Sequence, residues 1–127
     1  MSDYCRVTLV GNLRSDVQIV RMAGDSGQVV GVTTVCVART VLRDGEPVQV
    51  TVPIPVEIHG SARAARVAQG FGAGSRILLD GYLDLRERRV VERCTTTADG
   101  QQTVAVVVPR NYLVVVVDTI FNADIPQ

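Results

Sequence analysis

All thirteen cationic side chains of this 127-residue chain are arginines, and lysine is absent. A guanidinium grips phosphate with two parallel hydrogen bonds and stacks on flat rings, so the choice suits nucleic acid. A GC-rich coding sequence would produce the same bias. Thirteen acids balance the arginines to a formal net charge of zero, whereas phosphate neutralisation needs a local surplus of cations. Five side chains stand out as candidates for binding. Tyr82, Arg86 and Arg88 share parity along one alternating run, and Arg39 ends another. His59 is the one histidine and closes a third run. Its ring could stack on a base and gain charge at mildly acidic pH. Each candidate also has a plainer reading. Asp84, Glu87 and Glu92 could offset the arginines on a solvated face, and His59 could be a structural histidine at a strand end.

Nothing in the sequence converges on catalysis. There is no nucleophile elbow, no phosphate loop and no cluster of His, Cys and carboxylate ligands, so no enzyme, cofactor, metal or small-molecule substrate is expected. Gly70, Gly72 and Gly74 follow an apolar-periodic segment instead of opening one, unlike a dinucleotide fingerprint. Cys5, Cys36 and Cys94 are odd in number and lack a CxxC spacing, and they read as buried free thiols. No apolar run is long enough to span a membrane. Met1–Cys5 carries no signal-peptide pattern, which is consistent with a mature chain in a reducing compartment.

The candidates must be positioned by strands. Val48, Val50, Val52, Ile54, Val56 and Ile58 alternate at strict period two, the pattern of a strand with one buried face. A short helix follows. Ala64, Val67, Ala68 and Phe71 share one face, Ser61 is placed to cap the start, and glycines crowd the exit. Arg76–Leu85 then reads as another strand, with Ile77, Leu79, Gly81, Leu83 and Leu85 toward a core and Leu78, Asp80, Tyr82 and Asp84 away from it. Upstream, Cys5–Leu13 and Val29–Arg39 are strands. Gly11 marks a bend, 23–27 is a turn cluster, and Asp44-Gly45 is a hairpin signal. Downstream, a charged break at Arg86–Arg89 is followed by strands over Val90–Thr97 and Gln101–Val108, with a turn at Asp99-Gly100. Pro109–Asn111 is a second break, and Tyr112–Ile120 is the last strand. Pro53, Pro55 and Pro109 imply edge positions or kinks. This order predicts an all-β, five-stranded Greek-key OB-fold barrel over residues 1–121, with one short helix between the third and fourth barrel strands and a short tail over 122–127.

Particular motifs carry a family likeness. Arg6-Val7-Thr8-Leu9-Val10-Gly11-Asn12-Leu13 with Asp16, and Gly74-Ser75-Arg76-Ile77 through Asp80-Gly81-Tyr82-Leu83, resemble the first and fourth strands of bacterial-type single-stranded DNA-binding proteins. Thr51–Val56 and the following His-Gly are similar to the primosomal protein PriB. The OB-fold proteins of the kinetoplastid RNA-editing complex share the same template. The resemblance implies a homo-oligomer, dimer or tetramer, or an assembly with related OB-fold subunits, that holds single-stranded nucleic acid without catalysis. DNA is expected first and RNA second. It places the family's stacking positions near Arg39, Pro53, His59 and Arg88, none of which is Trp, Phe or Tyr here. The setting would be the bacterial nucleoid or the mitochondrion. Phe121–Gln127 superficially resembles the family's acidic tip but lacks its linker and terminal phenylalanine.

A second reading differs in class: an OB-fold scaffold whose main partners are proteins. Neutral charge and few aromatics favour it. So does the valine run at 114–117, which one small barrel is not expected to bury on both faces.

Overall fold

A computed structural model describes residues 5–22, 27–96 and 102–123, with the backbone alone for 88–96 and 102–109. Six strands and one helix follow in order: β1 Val7–Leu13, β2 Gln18–Arg21, β3 Val29–Arg43, β4 Glu46–His59, α1 Ser61–Gly70, β5 Arg76–Thr96 and β6 Gln102–Asn122. They form one sheet in the order β1-β5-β6-β4-β3-β2. A further β1–β3 pairing at Asn12 and Leu13 joins its ends, so β1, β3, β4, β6 and β5 make a closed five-stranded barrel. All pairings are antiparallel except β4–β6, which is parallel and only two residue pairs long, Val56–Val115 and Glu57–Val116. The expected OB-type barrel is therefore present, and β2 extends its edge beside β3.

The inward residues are branched aliphatics, as expected of half-buried strands. Val35, Val56, Ile58, Ile77, Leu79, Val115 and Val117 form the core, and Ala64 and Val67 of α1 plug one end. Ser61 does not cap this helix. Gly60 occupies the cap position with φ 96°, a backbone that favours glycine, and Ser61 is the first helical residue. Asp16 secures the helix exit: its Oδ1 accepts a 2.7 Å hydrogen bond from the Ala73 amide.

Two hairpins outrun the barrel. β3 and β4 stay paired as far as Arg43–Glu46, where Asp44 and Gly45 both take positive φ, the geometry of a type I′ turn. β5 and β6 stay paired from Ile77–Asn122 to Thr96–Gln102. The breaks expected at 86–89 and 109–111 do not occur. Beyond the barrel the β5–β6 arm is a two-stranded ribbon with a free edge on each side, so Pro109 opposite Arg89 forfeits no second ladder. Pro53 and Pro55 are tolerated similarly, because β4 meets β6 only at Val56 and Glu57. β4 and β6 run parallel at that seam, so both arms leave the same end of the barrel.

Burial corrects several expectations. Leu83 and Leu85 keep the inward parity but are 41% and 56% exposed, since the barrel ends before them. Cys5 is exposed and Cys36 half-buried, contrary to the buried thiols expected. Cys36 lies opposite Pro53 on the outward face. The Cys94 side chain, the turn residues 23–26, Asp99-Gly100 and the tail 124–127 lie outside the described residues. Val114, Val115, Val116 and Val117 are all buried, so both faces of this run are covered after all.

Gly81 is where β5 can least accept a side chain. β6 carries one extra residue opposite Asp80-Gly81, and a Cβ at Gly81 would overlap the Val116 carbonyl oxygen. Gly81→Ala should therefore destabilise the fold by about 1–3 kcal/mol or more in urea unfolding. Gly70→Ala is the control. It has no atom within 4 Å of its added methyl and should be neutral or stabilising by about 0.4–1 kcal/mol.

Candidate nucleic-acid interface

A groove of about 570 Å³ opens where the two arms diverge. Gln18, Val32, Thr34, Pro55, Tyr112 and Val114 line it, with Glu57 and Arg110. Register explains the grouping. Gln18 pairs with Val32, Val32 with Glu57, and Glu57 with Val116, so β2, β3, β4 and β6 present these side chains on one outward face. The β5–β6 ladder continues that face outward. Tyr82 stands opposite Val116, Asp84 opposite Val114, Arg86 opposite Tyr112 and Arg88 opposite Arg110.

Of the five expected site residues, Tyr82, His59 and Arg86 lie on this outward face, beside the groove lining and not in it. Tyr82 is 39% exposed on the outward face. His59 and Arg86 meet through Glu57, a residue without a role in the sequence reading. The Arg86 guanidinium donates to Glu57 Oε2 from Nε at 2.9 Å and to Oε1 from Nη2 at 2.8 Å. His59 Nε2 lies 2.9 Å from the same Oε1. Arg86 Nη1 donates to Asp84 at 2.8 Å and to the Leu85 carbonyl at 3.0 Å. Arg86 is thus held by protein carboxylates before any phosphate arrives. The other two residues stand differently. Arg39 is exposed on the β3–β4 arm opposite Val50, at the parity opposite to Val32 and Thr34, and is not brought to the groove. The Arg88 backbone faces Arg110, but its side chain lies outside the described residues.

The Glu57–Arg86 pair reaches from β4 to β5 and so passes over β6, on the face that carries Val114 and Val116. Glu57 is only 5% exposed. Burial pushes its pKa up, but hydrogen bonds from Arg86 and His59 outweigh this and hold it below the usual carboxylate value. Glu57 raises the pKa of Arg86 in return, and Arg86 lowers that of Asp84. A separate cluster sits across β1, β5 and β6, where Arg6 pairs with Asp118 and Asp80. Among the described residues no group of three His, Cys, Asp or Glu is placed to hold a metal ion.

Tyr112 and Arg110 were missed by sequence reasoning, which put them in or beside a break at Pro109. Their parity with Val114 was the available signal. Tyr112 is half-buried and Arg110 exposed. Together they give one wall of the groove a ring and a guanidinium.

Glu57→Gln should lower stability by about 3 kcal/mol at neutral pH, because Arg86 loses its charged partner. A depressed folded-state pKa means that the carboxylate contributes fully above its unfolded pKa, near 4.3, and loses that contribution as pH falls through the lower folded value. Urea midpoints followed downward from pH 6 should therefore fall more steeply for the parent chain than for Glu57→Gln. Parallel curves would show that the pair does not hold the barrel.

No protein-family model matches this chain, and no curated protein matches it in sequence. Among solved structures, a Plasmodium falciparum SSB in complex with ssDNA superposes with a TM-score of 0.67 at 12% identity, over 95% of this chain and 94% of that one. At that identity the likeness concerns the fold, and it agrees with the closed OB-type barrel built above from register and core.

Proposed function

We propose that this protein is a non-catalytic OB-fold module of the single-strand-binding type, which holds single-stranded nucleic acid, DNA before RNA, with little sequence preference. The groove carries the reading: about 570 Å³ on the outward barrel face, walled by Tyr112 and Arg110, with Tyr82 on the same face. A fold neighbour that was solved with ssDNA supports it. Bases would stack on Tyr112 and Tyr82, at about 1–3 kcal/mol each, and arginines would neutralise phosphates. Glu57 limits the positive field at the groove floor, so binding leans on stacking more than a lysine-rich site would.

Oligomerisation is part of this reading. Val7–Asn12 of β1 pair with β5 on one side, while β1 meets β3 only at Asn12 and Leu13. The other side of Val7–Gly11 has no strand partner among the described residues, and an isologous β1–β1 pairing would fill it. The protein-scaffold reading also has a specific observation behind it. Leu85 lies directly opposite Leu113, with Leu83 beside them, and all three are exposed. Such a patch suits another OB-fold subunit or a protein partner.

Titrating labelled DNA and RNA single strands at two salt concentrations separates these readings. Affinity should fall with salt, and Arg110→Ala with Arg88→Ala should flatten that slope by about one per lost contact. Tyr112→Ala should cost about 1–3 kcal/mol at either salt. Absence of binding at low salt, together with a stable oligomer by light scattering, would favour the scaffold.

A further inference from the structure

A second, smaller cleft lies at the opposite end of the barrel. It measures about 280 Å³ and sits between α1 and the end of β6. Val67, Phe71, Ile120 and Phe121 give it apolar walls, and Arg63 and Arg66 flank it. Among the described residues no carboxylate lines it. Neither arginine has an ion pair or hydrogen bond among the described residues. Phe121 is 58% exposed, a large ring left at the lip.

The helix carries these two charges at a cost. Arg63 and Arg66 are three residues apart and repel each other across one helix face. Arg63 lies in the first turn, where the helix dipole disfavours a cation, and α1 has no acidic residue in that turn. A bound anion would relieve both unfavourable terms. The cleft is smaller than the usual small-molecule site and the right size for one large apolar side chain.

We infer that this cleft docks an acidic peptide segment, one aromatic or large aliphatic side chain entering between Phe71 and Phe121 while flanking carboxylates pair with Arg63 and Arg66. The site is separate from the groove. On β6 the nearest lining residues of the two sites, Val114 and Thr119, are five residues apart, about 17 Å at strand rise. A nucleic-acid strand and a peptide can therefore be held at once, and the inference stands whether or not the groove binds nucleic acid.

The test uses a fluorescein-labelled peptide with two aspartates on each side of a phenylalanine, capped at both ends, with the full chain. Anisotropy should show saturable binding. Replacing the phenylalanine by alanine, or the aspartates by lysines, should abolish it. The double variant Arg63→Glu, Arg66→Glu, checked for an unchanged circular dichroism spectrum, should weaken the acidic peptide by at least about tenfold. It should also gain affinity for the lysine-flanked peptide. Oligothymidylate should leave the acidic peptide bound. Two results overturn the inference: no saturable binding of the peptide, or its displacement by oligothymidylate with a parallel loss of strand affinity in the double variant, which would make the arginines phosphate contacts.

Discussion

One buried carboxylate ties the two halves of this barrel together. Glu57 sits at the β4–β6 seam, where only two residue pairs join the strands, and accepts both arms of the Arg86 guanidinium from β5. The pair bridges three strands from outside while Val56 and Val115 meet beneath it. A nearly buried carboxylate would ordinarily oppose folding. Here it is matched by an arginine fork and by His59, and among the described residues no buried side-chain polar atom lacks a partner. The geometry of the groove follows, because Glu57 forms its floor and Arg86 stands opposite Tyr112 on its wall.

This arrangement changes how the arginines should be viewed. A sequence with thirteen arginines and no lysine suggests a phosphate-binding surface, yet Arg86 and Arg6 are held by protein acids. Arg86 holds Glu57 and Asp84, Arg6 holds Asp80 and Asp118, and Arg76 reaches Asn12. Arg39 on the β3–β4 arm stands well apart from Arg63 and Arg66, which are neighbours on α1.

Much of the fold was legible because it depends on local periodicity. The alternation over Val48–Ile58, the shared face of Ala64 and Val67, and the Asp44-Gly45 turn each stand where their spacing implies. The failures share a cause: parity tells which way a side chain points but not whether anything is there. Leu83 and Leu85 point inward past the end of the barrel and are exposed, while Val114 and Val116 point outward and are covered. The edge position that Pro109 implies is met, since its ribbon gives it one neighbour, but the strand is not interrupted there. On the candidate face, chemistry and parity point to His59, Tyr82 and Arg86, and the fold puts all three on that face. Neither marks Glu57, since nothing local distinguishes a buried acid from a solvated one. Tyr112 and Arg110 were hidden by the misplaced break.

The brevity of the β4–β6 seam has a mechanical consequence. Two hairpins diverge from a joint only two pairs wide, like the legs of a clothes-peg from its spring. A polymer lying in the notch would touch both legs and brace the joint from outside. Occupancy would then be felt as stiffness at Val115 in the core, which does not line the groove, and slowed amide exchange there would report a strand bound on the surface.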